Sequence, residues 1–146
     1  MAIARPVDRR LFFLFDRAHT QMAKAADNYL APRSGVSTAQ AAVLIYLGYN
    51  DNCRLSDLAQ GTGRKNAAIT GLVSRMEKDS LVQRHKQLLD RRSKTVSLTS
   101  KGWNLREAVM NDFRDFNEHL VKGLSDSEVE ILLKFFSLGP KYIATL

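Results

Sequence analysis

Little in this sequence suits covalent chemistry or a membrane. One cysteine, Cys53, among 146 residues excludes an intramolecular disulfide and points to a reducing compartment, the cytoplasm by default. No apolar run approaches the roughly 18 residues of a membrane helix. LFFLF at Leu11 to Phe15, set between Arg9, Arg10 and Asp16, is too short for a signal-peptide core. His19, His85 and His119 have no metal-ligand spacing among themselves or with Cys53. There is no nucleophile–base arrangement, Gly-rich phosphate loop or paired-carboxylate motif, so no feature favours an enzyme, a metal or a cofactor. Repeats and low-complexity segments are absent as well. With 45% hydrophobic and 25% charged residues, what remains is an ordinary globular composition, and the length is that of one domain.

Acidic residues are scarce in one place. Between Arg64 and Lys101 there are ten Lys and Arg and three acids, Glu77, Asp79 and Asp90. The whole chain has 22 basic and 15 acidic residues, net +7. The stretch therefore carries the entire excess, and the remainder balances at twelve against twelve. Charge concentrated in this way is the electrostatic footprint of a segment that grips a polyanion.

Apolar positions at Val7, Leu11, Leu14, Phe15, Ala18, Met22, Ala25 and Tyr29 predict a helix from Val7 to Leu30, ended by Pro32 and Gly35. Phe12 and Phe13 lie off that stripe, so its first half is apolar nearly all round and is expected to meet a second subunit. Ser37 to Gln40 is a capping box opening a helix to about Leu47. Tyr49 to Asn52 reads as a turn, and a short helix then starts at Leu55 with Ser56 as its cap and Asp57 in its first turn. A helix from Lys65 to Asp79 is expected to bury Ile69, Leu72, Val73 and Met76. Val82 to Lys86 and Thr95 to Leu98 read as strands. Thr99 caps a long helix with the stripe Leu105, Val109, Phe113, Phe116, Leu120 and Leu124. Ser125 to Glu128 is a second capping box, opening a helix with Val129, Leu132, Leu133 and Phe136 inward. Gly139-Pro140 is expected to break or kink it near Leu138.

A short helix, a glycine-containing turn, a second helix and a two-stranded ribbon make a helix-turn-helix with a wing. The fold class is thus mainly α with a small β-wing. The second helix should present Asn66, Ala67, Thr70, Gly71, Ser74 and Lys78 outward, flanked by Arg75. Asn66 can pair with adenine, Thr70 with either base type, and Ala67 can touch a thymine methyl. Lys65 at the positive helix end suits a phosphate. Gly71 costs about 1 kcal/mol relative to Ala; close approach to a groove wall accounts for it, and packing against a neighbouring helix is the alternative. Arg91, Arg92 and Lys94 lie at the ribbon tip, where an arginine can enter a narrow minor groove.

At these residues the chain resembles the MarR (multiple antibiotic resistance regulator) family of winged-helix transcription factors. The resemblance is carried by Asp90-Arg91-Arg92, Val96-Ser97-Leu98-Thr99 and Lys101-Gly102, with LSDLAQGTG (Leu55 to Gly63) and ITGLVSRMEKDSLVQR (Ile69 to Arg84) upstream. It implies a homodimer whose long first and last helices intertwine, so that residues 1–35 with 102–146 form the dimerisation region and 36–101 the DNA-binding winged helix-turn-helix. It further implies that Arg92 is the minor-groove arginine, that Asp90 orients the wing arginines, and that the partner is pseudo-palindromic double-stranded DNA. The family usually has glycine where Ser80 stands, and Leu88-Leu89 makes this wing more apolar.

The resemblance also implies a repressor released by a small aromatic or lipophilic effector. Candidate lining residues are Phe15, His19, Tyr46 and Tyr49, with Arg17 as a carboxylate partner; aromatics at helical spacing are also ordinary core residues. Cys53 as a thiol redox sensor, or the winged helix as a protein-interaction module, are the alternative functions. An inert thiol is the simpler reading of one cysteine, and His85 between Arg84 and Lys86 is expected to meet phosphate or solvent.

Overall fold

The computed structural model describes residues 10–86 and 94–146. In chain order its elements are α1 (Leu11–Ser34), α2 (Thr38–Tyr49), β1 (Cys53–Arg54), α3 (Leu55–Gly61), α4 (Asn66–Lys78), β2 (Val82–Lys86), β3 (Lys94–Leu98), α5 (Ser100–Leu120) and α6 (Asp126–Ile143). They form two compact units, one running to Asp112 and the other Phe113–Leu146, with the boundary inside α5. Among the described residues, no helix is long and apolar enough to cross a membrane.

The core of the first unit is aliphatic. Leu30, Leu44, Leu47, Leu58, Ile69, Val73, Met76, Val96 and Val109 are fully buried, at roughly 1.5–3 kcal/mol of transfer free energy for each larger side chain. Helices α2, α3 and α4 wrap a three-stranded antiparallel sheet of order β1-β3-β2. Val82 pairs with Leu98 and Lys86 with Lys94, which makes β2–β3 the ribbon. On the other edge, Cys53 pairs with Val96. At two residues, β1 is too short to leave any alternation in sequence.

The capping boxes at Ser37 and Ser125 form as expected, and Thr99 caps α5 by accepting the Gly102 N–H at 3.0 Å. Asp27 of α1 adds a second tie to α2, accepting the Thr38 N–H at 2.7 Å and its hydroxyl at 2.8 Å.

Several expectations change. Helix α1 runs through Pro32 to Ser34 and ends on Gly35 at φ 70, because a proline in the last turn removes only one backbone bond. Its inward residues are Ala26 and Leu30, whereas Met22 and Ala25 are exposed; the burying stripe is rotated from the one predicted, and Val7 lies outside the described residues. Helix α2 extends beyond Leu47 to Tyr49. Ser56 lies inside α3, whose N-cap is Arg54 with no side-chain capping bond. Helix α6 passes through Pro140 to Ile143 without breaking. Pro140 lies in the last turn, where it removes one backbone bond, and Gly139 has no Cβ for the proline ring to meet.

The second unit differs from the first in having no buried residue at all. Val129 is half-buried, while Leu132, Leu133 and Phe136 are exposed rather than inward. The stripe on α5 divides in the same way. Val109 is buried, Leu105, Phe113 and Phe116 are half-buried, and Leu120 and Leu124 are exposed.

Candidate nucleic-acid interface

Helix α4 is positioned by its apolar side. Ile69, Leu72, Val73 and Met76 are buried, so the opposite stripe must face out. Asn66, Ala67, Thr70, Arg75 and Lys78 are exposed, and Gly71 and Ser74 are half-exposed. A Cβ added at Gly71 would meet only the Arg75 guanidinium, at 3.6 Å. Among the described residues no neighbouring helix packs on it. The Thr70 hydroxyl donates to the Asn66 carbonyl at 2.9 Å, and the Ser74 hydroxyl to the Thr70 carbonyl at 2.9 Å. Their protons are thus spent within the helix, and Thr70 offers an acceptor and a methyl group outward.

The N-terminus of α4 has Lys65 as its N-cap, with no side-chain capping bond and no acid in its first turn. Free helical N–H donors with a lysine beside them favour an anion. The turn leading there is tied by Thr62, whose hydroxyl donates to the Leu58 carbonyl at 2.7 Å, and by Gly63 at φ 65. On the ribbon, Lys94 stands directly across from Lys86, and both are exposed. Like charges in a cross-strand pair repel, a cost that an anion between them offsets. Asp90, Arg91 and Arg92 lie outside the described residues.

Some cations of the basic stretch have partners within the protein. Arg84 bonds Glu77 and Ser74, Arg64 donates to the Thr62 carbonyl at 3.1 Å, and Lys101 donates to the Asp79 carbonyl at 2.9 Å, closing the end of α4. Charge counting alone could not separate these from Lys65 or Lys78. His85 is exposed to solvent, with its Nε2 2.7 Å from the Ser97 hydroxyl across the ribbon.

The residues proposed to line an effector site have different neighbours. Phe15 and His19 stack at 6.3 Å on α1, and Arg17 is exposed. The Tyr46 ring occupies the space over Gly61, while Tyr49 lies 5.0 Å from the Arg106 guanidinium. Arg106 also lies 5.7 Å from the Trp103 ring and passes across Gly48. Sequence reasoning missed this group, because Gly48, Tyr49, Trp103 and Arg106 meet only through the packing of α5 beside α2.

Cys53 is half-buried on β1. Burial first, then the Asp57 and Asp51 carboxylates, push its thiol above the ordinary 9.0. That direction disfavours the thiolate a peroxide sensor needs. Among the described residues no cluster of His, Cys, Asp and Glu is arranged to hold a metal.

Residues 36–94 match the MarR family model. The HTH-type transcriptional regulator BilQ of Clostridioides difficile (strain CD3) is 31% identical over 91 residues, covering 62% of this chain and 62% of its own length. The homoprotocatechuate degradative operon repressor of Escherichia coli is 26% identical over 126 residues, covering 82% of this chain and 85% of that one. Among solved structures, the S. aureus MepR–DNA complex superposes with a TM-score of 0.80 at 26% identity, over 90% of this chain and 96% of that one.

Proposed function

We propose, from the premise that its winged-helix region belongs to the MarR family, that this chain is a homodimeric transcriptional repressor of pseudo-palindromic double-stranded DNA, released by a small aromatic or lipophilic ligand. The observation that carries the DNA reading is the outward face of α4. Asn66, Ala67 and Thr70 are exposed around Gly71, where among the described residues a Cβ would meet Arg75 alone. Such a face costs helix stability and is useful only where another surface must come close. Lys65, Arg75 and Lys78 would hold phosphates beside it, Ser74 lies within the same stripe, and Arg92, flanked by Asp90, Arg91 and Lys94, would enter the minor groove.

Support for the dimer comes from exposed apolar surface. Phe12 is 78% exposed and Ile131 67%, and α6 buries none of its residues. A homodimer would cover such surface, with 1–35 and 102–146 as its dimerising parts and 36–101 as its DNA-binding part. Two-fold symmetry then places half-sites about one helical turn, 10–10.5 bp, apart. The ligand reading is supported by the name of the Escherichia coli relative, a repressor of an operon degrading an aromatic acid. The thiol-sensor reading has no such support, given the raised thiol of Cys53.

Selection of bound sequences from a random duplex pool tests the core of this reading, and enrichment of an inverted repeat is the expected result. On the selected site, Arg92→Ala should weaken binding by about 1–3 kcal/mol in a gel-shift titration. An unchanged affinity would take the ribbon out of DNA recognition.

A further inference from the structure

Arg84 is one of the ten cations of the basic stretch, yet its contacts set it apart from a phosphate ligand. Its backbone N–H donates to Glu77 Oε2 at 2.9 Å. Its Nε and Nη2 reach Glu77 Oε1 at 3.3 and 3.1 Å, and Nη2 also donates to the Ser74 hydroxyl at 3.2 Å. Both oxygens of one carboxylate are thus occupied by one residue. Strand β2 is one of the two outer strands of the sheet, and the Glu77 carboxylate takes the place a further strand would have beside Arg84. Ser74 and Glu77 are one turn apart on α4, and the guanidinium spans that turn. Rotation of the helix, or sliding of the strand, would break at least one of these bonds.

We propose that Glu77, Arg84 and Ser74 form a clasp that sets the angle between the recognition helix and the ribbon, with Arg84 a positioning residue rather than a DNA contact. This rests on the DNA-binding reading above. The guanidinium holds Oε1 through Nε and Nη2 while the backbone N–H holds Oε2, so side chain and strand are tied to one carboxylate by charge-assisted hydrogen bonds. Here it joins the two elements that must enter adjacent grooves together. The Ser74 hydroxyl, donating to the Thr70 carbonyl and accepting from Arg84, is spent in the clasp and has little left for a base.

Affinity has opposite signs under the two roles of Arg84. If Arg84 held a phosphate, Glu77→Ala would remove a repelling charge and tighten binding, and Arg84→Gln would flatten the salt dependence by nearly one contact, about 0.9 in log–log slope. With a clasp, Glu77→Ala and Arg84→Gln each weaken operator binding by about tenfold, the double variant is no weaker than either, and the slope stays unchanged. Hydroxyl-radical protection beside the ribbon should fade in both variants while major-groove methylation protection on the half-sites persists. Glu77→Gln serves if Glu77→Ala does not fold. Tighter binding by the Glu77 variants, or additive losses with a reduced slope, would overturn the clasp. A readout without DNA keeps the two readings apart. The Arg84 amide should exchange at least about tenfold faster with solvent in Glu77→Ala than in the wild type, and equal protection would overturn the clasp whether or not the wild type binds any duplex.

Discussion

Ser80 holds a left-handed backbone at φ 61 between α4 and β2, the position where glycine is the usual residue in the MarR family. Its carbonyl accepts the Thr99 hydroxyl at 2.6 Å, and the tie holds the turn in a conformation that costs an L-residue about 1–2 kcal/mol. Ser80→Gly relieves that strain but frees the unfolded chain. The expected net gain is roughly 0.5–1 kcal/mol, measured as a raised urea midpoint with unchanged slope. At Gly102 the logic reverses, since a Cβ would run into the Leu81 carbonyl. Glu77 supplies a pH effect at the same scale. Hydrogen bonds from the Arg84 side chain and backbone hold its carboxyl below the ordinary 4.5. The folded state therefore gains stability above the usual carboxylate range and loses it as pH falls through the lowered value. Glu77→Gln should reduce the loss of stability below the ordinary carboxylate range in a titration of stability against pH. Ser80 could be marked as a departure from sequence. The partners of Thr99 and Glu77 could not, since they lie 19 and seven residues away.

Helix α4 is an element whose residues serve two demands. Its buried side supplies the packing, and its open side gives up propensity at Gly71. Gly71→Ala should raise stability by up to about 1 kcal/mol, because the added methyl meets only the flexible end of Arg75 at 3.6 Å. The same methyl stands where a groove wall would approach, so operator affinity should fall. Thermal unfolding and gel-shift titration on one preparation would show the opposite signs. A simultaneous gain in both would sink the close-approach reading. The other elements were legible to the degree that their signals were local. The capping boxes at Ser37 and Ser125 specify two helix starts, and the buried stripe of α4 follows its spacing. Pro32 and Pro140 misled because a proline near a helix end removes little, and β1 was invisible because two residues have no period.

Charge and apolar surface set the behaviour of the whole molecule. Six to ten phosphate contacts per dimer, the number such a basic surface can supply, would give a log–log salt slope of about −5 to −9. A flat response would favour a protein-interaction module instead. A dimer should also be the form in solution, because Phe136 and Ile131 on α6 are 52% and 67% exposed in the protomer. Phe136→Lys is expected to shift sedimentation toward the monomer and to weaken DNA binding through loss of the paired half-site. The proposed ligand release would need no new contact with DNA: an effector with higher affinity for a dimer of unsuitable recognition-helix spacing would shift the population away from it.

From the sequence alone follow the order of the helices, the winged helix-turn-helix, the outward stripe from Asn66 to Lys78 and the concentration of charge between Arg64 and Lys101. Each is written in local spacing or in composition, which the chain retains before it folds. Only the tertiary structure decided how the cations divide. Lys65 and Lys78 are exposed, while Arg84 is committed to Glu77 and Lys101 to the end of α4. It also decided that Gly71 is open to approach among the described residues, and that burial, with Asp57 and Asp51 beside it, raises the Cys53 thiol. These depend on which residues meet across strands and helices, and a charge count or a helical stripe has no information about the partner on the other side.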